Sequence, residues 1–242
     1  MIVTDKFVFV HLPRTGGTFV TDMIMKFFPS AREIGYHLPT SLLPKEYSHL
    51  PLVGAVRNPW EFYVSWYYHI WPRDIGKPLF SWLTDNCKEQ FEGAIRNALN
   101  LGVDNNRLDA LIEKLPDAVD YRTRNIPNIT KDSIRRVRGT GVGYYTFRFN
   151  QIFGNADDVF FCRLETLRKD LVAFFEGIGE ASDELRDYVL RSDKRNIAEH
   201  RHYSTYYTPE LAELVLIRDR PLIERFGYVF EQASSVFSPS PT

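Results

Sequence analysis

The stretch FVFVHLPRTGGTFV, residues 7–20, constrains the fold more than any other part of this chain. Residues 6–11, KFVFVH, are a short apolar run bounded by a turn, the pattern of a strand buried in a parallel sheet. From Thr18 to Phe28 the chain carries Phe19, Met23 and Phe27 at a spacing of four, a helical stripe that Pro29 ends. The turn between strand and helix has the make-up of an anion cradle. Gly16 and Gly17 let the backbone approach closely, and the helix start offers unpaired N–H groups at the positive end of its dipole. Thr15 and Thr18 add hydroxyl donors, and Arg14 adds a fixed charge. Taken alone, TGGT also serves as a tight turn that holds nothing.

The same unit recurs along the chain. Residues 52–57, LVGAVR, form a short β-type run leading into Asn58-Pro59, and WEFYVSWYYHIW reads as a helix that starts at that proline. A third strand is expected at 158–163, DVFFCR, followed by a helix from Thr166 to about Glu176. Residues 77–155 read as helices and loops, with a basic stretch inside 120–140. Near the end, Thr208-Pro209-Glu210 starts a helix that runs to about Phe226, where Gly227 stops it. Strands alternating with helices predict an α/β fold, a mainly parallel central sheet flanked by helices. Ligands in such folds bind beyond the carboxyl ends of strands, where the loops after His11 and Arg57 both fall.

Length and composition narrow the class. At 242 residues the chain fits one domain spanning 1–242, with a Ser/Pro-rich tail from 232 to 242 expected to be loose. A net charge of −1 gives no global pull toward nucleic acid or an anionic membrane, so any basic site is local. Cys87 and Cys162 belong to no CxxC pair, which predicts reduced thiols and no zinc motif. Neither a leader nor an uninterrupted apolar run of ~18 residues stands out, so a cytoplasmic protein without a membrane span is expected.

The second loop carries its own chemistry. Arg57 closes a strand, and Ser65 lies eight residues later, about two turns into the following helix. Together they suit a second anion, separate from the first, although Arg-Asn-Pro alone is often just a strand exit. A phosphate cradle followed by an Arg…Ser pair suits a nucleotide with phosphates at both ends of its ribose. With these residues in view, the sequence resembles the sulfotransferases that use 3′-phosphoadenosine-5′-phosphosulfate. HLPRTGGTF is similar to their 5′-phosphosulfate loop, P-K-T-G-[GT]-T, and RNPWEFYVS to their 3′-phosphate motif, R-[ND]-P-x-x-x-x-x-S. VFFCRLETLRKDLVAFFEGIG resembles a later strand-plus-helix block, and YYTPELAELVLIRDRPLIERFGYVF the terminal helix of bacterial and glycan-type members. Two departures stand out: Arg14 replaces the usual loop lysine, and Phe62 occupies a place where many glycan-type members carry arginine.

The resemblance implies a P-loop NTPase-like sulfotransferase fold. It implies a donor bound by Arg14, Thr15, Gly16, Gly17, Thr18, Phe19, Arg57 and Ser65, and a reaction that needs no metal and leaves adenosine 3′,5′-bisphosphate. It also carries the catalytic base onto His37, twenty residues before Arg57, with Glu33 as the alternative. Arg201 and His202 would close over the nucleotide. His11 would orient the loop, and Glu165 would brace one. The basic stretch 121–139 is either a solvated face or part of an acceptor site. The acceptor is a small-molecule or glycan hydroxyl of open identity. A small-molecule kinase using ATP in the same cradle is the rival enzyme, although the loop lacks the Gly-Lys-Ser/Thr ending that such enzymes need. A nucleotide-binding module without chemistry is the third reading.

Overall fold

Each expected strand has apolar residues on both of its faces, so each must be covered from both sides. The computed structural model describes residues 1–70, 77–124, 128–154, 156, 158–193 and 201–232, and it shows how this is met. The chain opens with β1 (Ile2–Val3) and β2 (Val8–Val10), then passes through α1 (Gly17–Phe27), β3 (Arg32–Glu33), β4 (Leu52–Val56) and α2 (Pro59–Ile70). A helical section follows: α3 (Pro78–Leu83), α4 (Phe91–Leu99), α5 (Asn105–Lys114), α6 (Lys131–Arg135) and α7 (Tyr144–Phe153). The chain returns to the sheet as β5 (Val159–Arg163) and ends with α8 (Leu167–Gly177), α9 (Asp183–Arg191), α10 (Pro209–Arg218) and α11 (Arg220–Phe226).

The five strands lie in the order β3-β1-β2-β4-β5. The three expected strands form its parallel core, with Val8 opposite Leu52 and Val53 opposite Phe160. The other two are corrections to the sequence reading: β1 runs antiparallel to both β2 and β3, and each of β1 and β3 has only two residues. Alternation sorts the core into two layers. Phe7, Phe9, Val53, Ala55 and Cys162 pack with Val20, Met23, Leu171 and Phe175 of α1 and α8. Val8, Val10 and Val56 pack with Tyr63 of α2, Ile152 of α7 and the helices that surround them. Helices therefore cover both faces of an α/β sheet. No helix among the described residues is long and apolar enough to cross a membrane. The expected loose tail lies, apart from Gln232, outside the described residues.

The last helix departs from expectation. Thr208 caps its start as the sequence implies, accepting from Leu211 N at 3.2 Å, and Gly227 ends it at φ 63°. Between them the helix breaks at Asp219, because Pro221 has no N–H to carry the hydrogen-bond ladder onward. Asp219 turns inward and is wholly buried. Its carboxyl accepts from Tyr63 Oη at 2.7 Å, from Thr146 N at 2.9 Å and from Thr146 Oγ1 at 2.6 Å. Burial raises its pKa, and these donors oppose that rise. One side chain thus ties the terminal helices to α2, which carries Ser65, and to α7, which carries Tyr145. Asp219→Ala strands three buried donors and should cost about 3 kcal/mol in urea denaturation. Asp219→Asn keeps an acceptor and should cost less, and equal losses would count against this role.

Candidate anion-binding site

The chain must reverse between Val10 and Gly17, and it does so through left-handed backbone at Arg14 (φ 65°) and Gly16 (φ 85°). Glycine adopts that conformation without strain, whereas arginine pays about 1 kcal/mol or more. A Cβ on Gly17 would lie 1.8 Å from His11 Nε2, so the loop and the histidine ring close on each other only because residue 17 has no side chain. Thr15 is buried, and its hydroxyl donates to Leu12 O at 2.8 Å, holding the turn from inside. Thr18 is exposed on the first turn of α1, where backbone N–H groups lack intrahelical acceptors. Phe19 serves the core: its N–H bonds Gly16 O at 3.1 Å, and its ring packs under Arg168.

The second loop begins where the β4–β5 ladder stops. Tyr145 Oη accepts from Arg57 N at 2.9 Å and donates to Arg57 O at 3.1 Å, completing the strand end from α7. Asn58 Oδ1 accepts from Trp60 N at 3.0 Å, and with Pro59 in the first turn this starts α2. Ser65 follows, almost fully buried. The two loops then meet. Arg14 donates to Ser65 Oγ through Nη2 at 2.8 Å and Nε at 3.2 Å, and Arg57 Nη1 donates to Arg14 O at 3.3 Å. The Arg14 side chain thus links the two loops that are expected to hold separate anions. Glu61 takes Arg57 Nη2 at 2.7 Å, whereas Arg57 Nε is buried with no hydrogen-bond partner among the described residues. Among the described residues no three His, Cys, Asp or Glu side chains form a group that could hold a metal ion.

His37 lies against His11, at the strand end that opens the first loop. It too has left-handed backbone, φ 51°, and only 2% of it is exposed. Its Nδ1 is 2.8 Å from His11 O, and a carbonyl oxygen only accepts, so Nδ1 carries the proton and Nε2 the lone pair. The His11 and His37 rings are 4.4 Å apart. Burial first, and the neighbouring His11 second, hold the His37 pKa well below its usual value. Burial likewise pushes His11 down to about 3. Both rings are neutral near pH 7. Glu33, the alternative base, sits exposed on the edge strand β3 and pairs with Arg124 at 3.1 Å.

Arg201 and His202 are exposed and line a cleft of about 410 Å³ together with Asn58, Glu61, Arg163 and Tyr228. The cleft opens beside Glu61, the partner of Arg57. Glu165 braces this region as expected, accepting from Asn58 N at 2.7 Å. The basic stretch behaves mainly as a solvated face: Arg122 pairs with Asp120, Lys131 with Asp117, Arg136 with Asp132 and Arg138 with Asp109. The sequence reading missed two residues of the site. Glu61 stands four positions after Arg57, a spacing that could have flagged it. Tyr145 is 88 residues from Arg57, with no local signal. Comparison with known proteins found no matching family model, no matching curated protein and no matching solved structure.

Buried His37 and half-buried His11, both held neutral, make stability depend on pH. The unfolded chain takes up protons below its histidine pKa of about 6.5, while the folded state resists. Stability is therefore full above that pH and falls as the pH drops, by up to about 1.4 kcal/mol per unit for each histidine. Urea midpoints measured from pH 7.5 to 5 should show the loss, and His37→Phe should flatten the slope.

Proposed function

We propose that this chain is a sulfotransferase that takes its donor, 3′-phosphoadenosine-5′-phosphosulfate, across the Arg14–Ser65–Arg57 surface. The observation that carries this reading is the meeting of the two loops, since one arginine bridges residues 51 positions apart into a single anion-binding face. The residues present fit such a donor. Arg57 has a buried Nε without a partner among the described residues, and the glycine cradle lets amide N–H groups approach an anion. The P-loop NTPase-like form of the fold belongs to the same proposal.

When bound, the donor supplies an activated sulfuryl group, and the protein's residues do the rest. Arg14 and the first turn of α1 hold the phosphosulfate end and balance the charge that builds on the departing phosphate. Arg57 and Ser65 hold the 3′-phosphate, and Arg201 and His202 cover the nucleoside from the cleft. His37 Nε2 takes the proton of the acceptor hydroxyl, which attacks sulfur as the bond from sulfur to the phosphate oxygen breaks. A base already neutral at pH 7 needs no prior deprotonation. Turnover should thus be flat above about pH 6.5 and decline only at lower pH, as His37 itself takes up a proton.

The decisive comparison is thermal stabilisation by adenosine 3′,5′-bisphosphate against Mg-ATP. The bisphosphate should raise the melting temperature more, and a preference for Mg-ATP would sink this reading in favour of the kinase. His37→Ala should keep the bisphosphate shift and lose transfer; full activity in that variant would refute the base.

Glu61 gives an independent check. Its carboxylate competes with any phosphate for Arg57 Nη2, so Glu61→Gln should tighten bisphosphate binding roughly three- to tenfold by calorimetry. Weaker binding would mean that Glu61 orients Arg57 more than it competes for it.

A further inference from the structure

A second guanidinium lies behind the base, and the chemistry above leaves it without a task. Arg148 sits on α7 and is 2% exposed, among the largest fully buried side chains in the protein. Among the described residues its Nη1 reaches only neutral oxygens, Asn128 O at 3.4 Å and Gln151 Oε1, and its Nε has no partner. Asn128 Oδ1 is likewise buried without a partner among them. A buried cation ordinarily has a carboxylate beside it, because removing the charge from water is costly unless an anion compensates. Among the described residues no ion pair joins Arg148 to one.

Its surroundings connect it to the base. Asn128, whose carbonyl accepts from Arg148, donates through Nδ2 to Tyr36 O, next in the chain to His37. Thr40 Oγ1 donates to Phe153 O at 2.9 Å, fastening the segment after His37 to the end of α7. Behind burial and the neighbouring His11, the Arg148 charge also disfavours protonation of His37. On the outer side, half-buried Tyr121 and exposed Arg124 border the region, and the Arg124 guanidinium lies 5.2 Å from the centre of the Tyr36 ring.

We infer that Arg148 is a binding residue for the acceptor, and that the acceptor carries an oxyanion, a carboxylate, sulfate or phosphate ester, besides the hydroxyl that His37 deprotonates. This rests on the sulfotransferase reading and extends it to the acceptor's chemical class. The guanidinium offers the oxyanion a planar fork with its unused Nε–H, which a neutral acceptor leaves unpaired. Exposed Arg124 draws an anion toward the site, and His37, kept neutral, is free to accept the hydroxyl proton.

The test uses the full chain, labelled donor and acceptor pairs that differ in one charge: 4-hydroxybenzoate against 4-hydroxybenzamide, and methyl glucuronide against methyl glucoside. The wild type should favour the anionic member of at least one pair by roughly tenfold or more in kcat/KM. Arg148→Met should erase that preference while keeping the melting shift with adenosine 3′,5′-bisphosphate, and Arg148→Lys should restore part of it. Equal turnover of both members by the wild type, or an equal loss for both in Arg148→Met, would overturn the proposal and make Arg148 structural.

A binding arm needs no turnover. At constant ionic strength, with bisphosphate present, 4-hydroxybenzoate should raise the wild-type melting temperature more than that of Arg148→Lys. The same shift in both proteins would also overturn it. Protection by inorganic sulfate without any discrimination between acceptors would assign the residue to a free anion and refute the acceptor role. Failure of the bisphosphate to bind is a separate result: it refutes the donor site, while the difference between the wild type and Arg148→Lys still reads out Arg148.

Discussion

The site depends on how the end of β4 is held. Parallel ladders stop abruptly, and the residue that leaves one has backbone groups that need new partners. At Arg57 a single tyrosine hydroxyl meets both needs, accepting from its N–H and donating to its carbonyl. Tyr145 is fixed in turn, because its own N–H donates to Tyr63 Oη at 3.1 Å, and Tyr63 donates to buried Asp219. A chain of hydrogen bonds thus runs from the break between α10 and α11 to the strand end that aims Arg57. Every member is buried, so losing one exposes its neighbours to an unpaired polar group in a dry interior. The carboxyl in the core is the anchor of the loop that would meet a phosphate.

Two residues beside the proposed chemistry hold unusual backbone. Arg14 and His37 both hold left-handed backbone, which L-residues other than Asn and Asp rarely adopt, and they lie in the two segments that converge on the loop. In each, the conformation is paid for by contacts it alone makes possible. Arg14 presents its carbonyl to Arg57 and its side chain to Ser65, and His37 turns Nδ1 onto His11 O. The three other non-glycine residues of this kind among the described residues, Asp85, Asn86 and Cys87, are consecutive and form a surface turn.

What could be read from the sequence follows from how local each signal is. The three parallel strands, the proline-started α2 and the glycine loop are encoded within about ten residues each, and they stand where the pattern put them. β1 and β3 are two residues long, too short for any alternation to show. The break at Asp219 goes with Pro221, which the reading of one helix from Thr208 to about Phe226 passes over. The order of Arg57 and Ser65 was legible; their junction with Arg14 was not, because it depends on the reach of a side chain across two loops. Tyr145, Asn128 and Arg148 come from a section with no motif of its own, and only packing brings Tyr145 to Arg57 and Asn128 to Tyr36.

The arginine in the loop has a physical consequence for the proposed reaction. A lysine at residue 14 would place one mobile ammonium near the departing phosphate. A guanidinium is planar, and here two of its nitrogens already grip Ser65 Oγ, so its position is set before any anion arrives. Such a group stabilises developing charge without the reorganisation that a flexible side chain requires. It cannot hand over a proton, since arginine stays protonated throughout the working pH range. Departure of the bisphosphate would then be driven by charge alone, which suits a leaving group that is stable as an anion. In that arrangement the one proton that has to move is the acceptor's, and it moves to a neutral histidine whose tautomer is fixed by a backbone carbonyl.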